Sequence, residues 1–298
     1  MPLSADHRRS NYGRAITAMI IAVGLFSLMD AGMKWLTPNY PPMQIAALRG
    51  LASAPLVFLW AVATVAPISL VRIRWSMHLL RGVLSIFMLA TFAYALKRLP
   101  MADAYTLFFI APLLITALSA PLLGEQVGLR RWLAIGVGLI GVIVAMRPTG
   151  QAWMSLGSLA AIAAALGYSL SAITVRALGK TDSTQSMVLW MTVMVGFGAG
   201  LLAWPEWKPI ASADWPAIAV IGIAGALAQY AITIAFKLAE ASAIAPFEYT
   251  ALAWGVLLDW LLWQTLPDRY VFIGASIIVA SGIYLIRKER EHAEAEHP

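Results

Sequence analysis

Six ionisable side chains stand inside long apolar runs of this 298-residue chain: Asp30, Lys34, Arg49, Arg81, Glu248 and Asp259. A charge at membrane depth costs roughly 2.5–3.5 kcal/mol on insertion scales, so each needs a partner or a task. Asp30 and Lys34 are four residues apart, the favourable order and spacing for an acid–base pair on one helical face. They either neutralise each other near an outer mouth or serve as a gate or a handle for a zwitterion. Arg49 lies deeper and needs a partner; Asp30 on the neighbouring helix is the candidate. Arg81 opens a run, where snorkelling to the interface would explain it. It completes a gate or charge-pair set of Asp30, Lys34, Arg49 and Arg81. Glu248 follows Pro246 by two residues and precedes Tyr249. Proline lacks a backbone donor, so a freed carbonyl, a carboxylate and a phenol converge there. That trio suits an ammonium group. The carboxylate also suits proton coupling, or it is simply hydrated at the mouth. Asp259 lies toward the other end of the same run and reads as interfacial.

Other side chains extend this set. Tyr105, Phe108, Phe109 and Pro112 lie at near-helical spacing and offer an aromatic wall bent by the proline. The alternative is packing against lipid or a neighbouring helix. Gln229 and Tyr230 sit mid-run, where an amide must find a helix or a ligand. Trp254 is deep enough to line a cavity. The candidate cavity set is therefore Tyr105, Phe108, Phe109, Pro112, Gln229, Tyr230, Pro246, Glu248, Tyr249 and Trp254. The chain has no cysteine, which removes disulfides, thiolate metal sites and cysteine nucleophiles. Its four histidines, His7, His78, His292 and His297, fall near termini or a loop. No metal site, catalytic triad, phosphate loop or cofactor is expected.

These residues must be positioned by membrane helices. The chain is 60% apolar and 12% charged, with a mean hydropathy of +0.76. An ordinary soluble domain carries about twice that charge. Ten apolar runs are legible, at 13–35, 43–65, 79–96, 102–123, 132–146, 156–175, 187–204, 215–236, 243–263 and 271–286. Runs near 20 residues without strict alternation are helices; an outer-membrane barrel alternates over about 10. With ten spans both termini share one side. That side carries Arg8, Arg9, Arg14, Arg72, Arg74, Arg81, Arg130, Arg131, Arg176, Lys180, Lys237, Arg287, Lys288 and Arg290. The other carries Lys34, Lys97, Arg98, Arg147, Lys208 and Arg269. The bias places both termini in the cytoplasm. The net charge of +6 thus marks topology and gives no nucleic-acid face. The tail from 289 to 298 reads as charged and disordered.

The chain repeats internally. Ala95-Leu96-Lys97 matches Ala235-Phe236-Lys237, and the offset of 140 from Ala95 to Ala235 runs unbroken to Arg147 and Arg287. Upstream, Ser27-Leu28 and Lys34 match Ser169-Leu170 and Arg176, at 142. Five spans per repeat is an odd number, so the second half inserts upside down relative to the first. Glycines in the fifth run (Gly136, Gly138, Gly141) and the seventh (Gly196, Gly198, Gly200) read as close-packing seams.

The motifs that punctuate these runs are Ala95-Leu96-Lys97-Arg98-Leu99-Pro100, Ala111-Pro112-Leu113, Leu123-Gly124-Glu125, the glycine-rich stretch 136–141, Ala235-Phe236-Lys237 and Ala245-Pro246-Phe247-Glu248-Tyr249. With ten helices in two halves, the chain resembles the drug/metabolite transporter superfamily in its EamA-domain branch, from about Gly13 to Ile286. Gln264-Thr265 stands where the second half should repeat Gly124-Glu125. Length and helix count look most like the YddG-type amino-acid exporters. The resemblance implies an all-α membrane protein of ten transmembrane helices in two inverted repeats, 13–147 and 154–287, with a charged tail at 288–298. It implies no enzyme and no cofactor, but a monomeric inner-membrane transporter in contact with lipid. The expected action is alternating access and efflux of small neutral or aromatic amino acids. Uptake of a larger nucleoside-like or adenosyl compound is the alternative; an intramembrane lipid-active enzyme or scramblase is another.

Overall fold

The computed structural model describes residues 5–99, 101–147, 155–264 and 269–295; the described residues are helical with short connections and no strand. In chain order the helices are α1 (Ala5–Leu36), α2 (Pro42–Thr64), the short α3 (Pro67–Val71), α4 (Trp75–Arg98), α5 (Met101–Phe108), α6 (Ala111–Leu123) and α7 (Leu129–Met146). The second half holds α8 (Leu156–Leu178), α9 (Thr184–Ala203), α10 (Trp215–Leu238), α11 (Ala241–Ile244), α12 (Thr250–Trp263) and α13 (Arg269–Ala295). Taking α5–α6 and α11–α12 as single broken rods, eight rods are long and apolar enough to cross a membrane. The other two are α7, of 18 residues, and α13, whose apolar part is Arg269–Tyr284. The tail expectation needs correction: α13 continues to Ala295, because its Ala, Glu, Lys and Arg residues are strong helix formers.

The two breaks fall at matching places. Pro112 stands in the first turn of α6 and cannot donate to the carbonyl one turn back, at the Phe109–Ile110 interruption. At the offset of 140, Tyr105 to Phe109 correspond to Ala245 to Tyr249, which form a 3-10 turn between α11 and α12. The next turn repeats as well. Gly124 ends α6 with φ of +71°, and its counterpart Gln264 follows α12 with φ of +52°. Glycine bears this conformation freely and glutamine does not. Gln264→Gly is therefore expected to stabilise the detergent-solubilised protein by about 1 kcal/mol, read as a higher unfolding midpoint.

Helix pairing is unchanged when the halves are exchanged. α1 packs on α10 and α8 on α4; α6 meets α8 and α12 meets α1; α2 pairs with α9, and α7 with α13. Individual contacts obey the same exchange. Gly225 lies against Met29, and Ser85, 140 residues earlier, bonds Ser171, 142 residues later, at 3.0 Å. Gly141 lies against the Gly274 carbonyl, while Ser281 donates to the Ala134 carbonyl at 2.8 Å. The order of these contacts makes α7 and α13 antiparallel. The seam expectation holds unevenly: Gly196 meets Gly50, Gly198 meets Ile86, Gly138 meets Tyr249 and Gly141 meets Gly274, but Gly136 faces open space.

The ends of the bundle are tied by loops. At one end Tyr40 donates to Asp214 at 2.6 Å, and Gln44 brackets the Lys208 backbone. At the other, Asp182 accepts from Thr181 at 2.7 Å and from the Arg74 amide at 3.2 Å, and it pairs with His78 at 2.9 Å. Tyr40 corresponds to Asp182 and Asp214 to Arg74, so each corner keeps its carboxylate on the opposite strand of the exchange. Burial alone would push the Asp182 carboxyl up, but the Thr181, His78 and Arg74 hydrogen bonds outweigh it and hold it low.

Candidate functional site

A run of rings crosses the interior beside the first break. Phe92 of α4 lies 5.3 Å edge-on from Tyr105 and 4.9 Å from Phe108, both on α5. Phe108 in turn lies 5.7 Å from Tyr168 of α8, whose hydroxyl donates to Glu248 Oε1 at 3.0 Å. Offset-tilted and edge-to-face geometries of this kind are the favourable ones. Glu248 is buried, on the 3-10 turn that Pro246 helps to form, and Tyr168 is its hydrogen-bond donor. The register explains the meeting: Phe108 corresponds to Glu248 at 140, and Tyr168 to Phe26 at 142.

A second polar group faces the same interior from α1 and α2. Asp30 of α1 keeps an exposed side chain. It interacts electrostatically with Arg49 and with Tyr105. The Arg49 guanidinium rests over the Phe26 ring at 5.5 Å, a cation–π contact. Among the described residues, neither the Asp30 carboxylate nor the Arg49 guanidinium closes an ion pair or a hydrogen bond with a protein group. Arg49 also lines a small cleft with Ser53, Thr192 and Gln229 between α2, α9 and α10. Two opposite charges at membrane depth thus face accessible space with their bonding capacity open.

Not every residue singled out from the sequence joins this interior. Tyr230 points outward, 42% exposed, and packs edge-on against Trp60 at 5.1 Å. Tyr249 is 1% exposed in the seam between α7 and α13, with its ring over Gly138 and Phe109 at 6.1 Å. The phenol beside Glu248 is therefore that of Tyr168, and the adjacent rings part company: Phe108 meets Phe92 and Tyr168, while Phe109 meets Tyr249. Pro112 and Pro246 are buried and shape the backbone. Trp254 rests on Gly24 of α1, where an added Cβ would come within 2.9 Å of the indole. Lys34 is exposed, and Gln229 belongs to the Arg49 cleft. Arg81 does not snorkel: it is 3% exposed and donates to the Met187 carbonyl of α9 at 3.0 Å. The side chain of Asp259 lies outside the described residues. Sequence reasoning did not single out Phe26, Phe92, Tyr168, Ser53 or Thr192. The repeat register, which pairs Phe26 with Tyr168, carried the signal for two of them.

The profile of the EamA-like transporter family matches residues 13–147 and again 155–287. A riboflavin transporter of Vibrio cholerae is 29% identical to this chain, covering 92% of it and 96% of that protein. The pseudopaline exporter CntI of Pseudomonas aeruginosa is 25% identical over 91% of this chain and 95% of its own. An S-adenosylmethionine uptake transporter of Rickettsia prowazekii is 24% identical over 96% and 97%. A solved crystal structure shares the fold with a TM-score of 0.78 at 23% identity, covering 90% of this chain and 94% of that one. These relatives are transporters of small molecules rather than enzymes. With both repeats matched, the chain is a multi-pass membrane transporter and belongs to the EamA-like transporter family.

Proposed function

We propose that this protein carries neutral and aromatic amino acids across the inner membrane by alternating access, with both termini in the cytoplasm. The observation that carries the reading is the open charge pair, Asp30 and Arg49, beside the rings of Tyr105 and Phe26. A zwitterion satisfies both charges at once: its ammonium meets the carboxylate and its carboxylate meets the guanidinium fork. Its apolar side chain then lies toward Phe92, Phe108 and Tyr168. The exchange-invariant helix pairing supports alternating access, since the two halves can trade roles about a pseudo-two-fold axis. The basic residues at the end holding Arg74, Arg131, Arg176 and Lys237 support the cytoplasmic orientation. Efflux is the favoured direction, and a monomer the working unit.

A second reading is a flavin-like metabolite. The ladder of rings from Tyr105 through Phe92 and Phe108 to Tyr168 suits a flat multi-ring solute. Of an imide edge, the N–H would donate to the Asp30 carboxylate and the carbonyls would accept from the Arg49 guanidinium, and two relatives are named riboflavin transporters. Proteoliposomes offered labelled phenylalanine, threonine, methionine, riboflavin and S-adenosylmethionine separate the readings. Amino-acid uptake above empty vesicles, lost in Asp30→Asn and Arg49→Leu, is the expected result. Uptake of riboflavin alone would replace the first reading with the second, and uptake of S-adenosylmethionine alone would sink both.

A further inference from the structure

At the basic end, two helices, α8 and the start of α11, meet on one carboxylate of the α6–α7 connection. Glu125, in the connection between α6 and α7, has a side chain only 6% exposed. Its Oε1 accepts the Ala241 amide at 2.9 Å; its Oε2 accepts the Ser242 amide at 3.1 Å and the Ser242 hydroxyl at 2.9 Å. The Arg176 guanidinium, on the last turn of α8, lies 3.6 Å away and also donates to the Lys237 carbonyl at 2.9 Å. Arg131, from α7, bonds Glu240 and reaches the Ser242 hydroxyl at 2.9 Å. One acidic side chain of the first half thus holds the turn between α10 and α11, just before the broken rod that carries Glu248.

Helix pairing obeys the exchange of halves, but the side-chain types of this cluster repeat only at Arg176, whose counterpart is Lys34. The corner ties occur at both ends, Tyr40 with Asp214 and Asp182 with Arg74. At the offsets of the repeat, however, Glu125 corresponds to Thr265, Ser242 to Ala102 and Arg131 to Val271. Thr265 lies outside the described residues, but its chemistry is given by the sequence: a threonine cannot supply a carboxylate to two amides and a guanidinium. Hydrogen bonds to a charged acceptor are about twice as strong as neutral ones. They must be broken for α11 to move away from α6.

Resting on the alternating-access reading, we propose that Glu125 is a latch on the gate at the basic end. It pins the α10–α11 turn to the α6–α7 connection and to α8. The latch biases the unloaded carrier toward the state closed at the basic end. Glu125 acts through the gate and touches no substrate. Opening exposes the 3-10 turn at Ala245, which is now fully buried.

The cysteine-free chain makes the test direct. Ala245→Cys serves as the reporter, labelled with a membrane-impermeant thiol reagent from the basic end in oriented vesicles. Ala199→Cys, buried between α2 and α9, serves as the control. Glu125→Gln is expected to speed labelling at position 245 by at least about tenfold, the scale of losing charge-assisted bonds. The rate at position 199 stays unchanged, and Ser242→Ala gives an intermediate rate. Equal rates at 245 with and without Glu125→Gln would overturn the latch, provided saturating substrate still modulates labelling. A reporter that substrate never modulates in any variant would overturn alternating access itself. Parallel acceleration at 245 and 199 would mean general loosening and would also overturn the latch. Should Glu125→Gln not fold, Arg131→Gln and Ser242→Ala carry the same comparison.

Discussion

Glu248→Gln is expected to abolish the pH dependence of transport and to cut concentrative uptake at least about tenfold, while substrate exchange persists. The carboxylate is buried on a 3-10 turn, where the Tyr168 phenol donates a hydrogen bond to it. A carboxylate offers about four acceptor sites, and Tyr168 is the protein donor that meets one of them. Burial of that kind is costly unless a proton or a cation joins the group. When the gate opens toward water, the carboxylate is hydrated and the requirement disappears. A group that needs a proton in one state and not in another couples proton movement to the cycle. Glutamine keeps the volume and can still bond Tyr168, so the fold and the exchange reaction survive without the coupling. Uptake into proteoliposomes across a series of imposed pH gradients reads the effect. A pH profile that matches the parent protein would assign Glu248 to packing alone. Tyr168→Phe is the companion variant: it removes the donor while leaving the carboxylate in place, and it should shift the profile rather than erase it.

The largest stability effect is expected at the crossing of α2 and α9. A Cβ on Gly50 would come within 2.5 Å of the Gly196 Cα and nitrogen, and within 3.0 Å of the Thr192 carbonyl. All three neighbours are backbone, which cannot rotate away, so the two helices must separate. Gly50→Ala is expected to cost about 3 kcal/mol, the upper range for overpacking, and Gly50→Leu to prevent folding. On the facing helix a Cβ at Gly196 would meet Leu51 nitrogen at 3.0 Å and Gly50 carbon at 3.1 Å, so Gly196→Ala should cost less. Gly136 is the control, because an added Cβ there meets nothing within 4 Å. Gly136→Ala should be neutral or stabilise by up to about 1 kcal/mol, the helix-propensity gain. Thermal unfolding of the purified variants in one detergent gives the ranking. Equal midpoints for the Gly50 and Gly136 variants would show that this crossing does not depend on close backbone approach.

These two sites differ in how visible they are in the sequence. Glu248 stood out because a charge in an apolar run is rare and a proline two residues earlier marks a break. Its partner Tyr168 did not, because a tyrosine in an apolar run looks like any interfacial or packed aromatic. The pairing expected between Asp30 and Lys34 rested on helical spacing. Arg49 across the helices is the other partner the sequence offers, and in the folded chain Asp30 lies in the field of Arg49 and Tyr105, because side chains on α1 meet partners across helices as well as along one. Arg81 looked suited to the interface by its position alone, and only the packing of α4 against α9 turned it inward to Met187.

By itself the sequence determined the number of apolar runs, their order, the register of the repeat and the places where two rods break. Those features follow from local chemistry. A backbone in lipid must satisfy its own hydrogen bonds, so long apolar runs become helices, and Pro112 and Pro246 mark the places where two of them break, while Pro55 and Pro121 are carried within α2 and α6. The sequence did not determine which face of each helix points inward. In water, apolar periodicity marks the buried face; in a membrane, lipid is as apolar as the protein core, and that contrast vanishes. Facing is then set by where glycines let backbones approach, as Gly50 and Gly196 do, and by which polar groups find one another, as Tyr168 and Glu248 do. Tertiary structure alone therefore turned Tyr230 outward, placed Tyr249 in a packed seam and left Asp30 and Arg49 open to the interior.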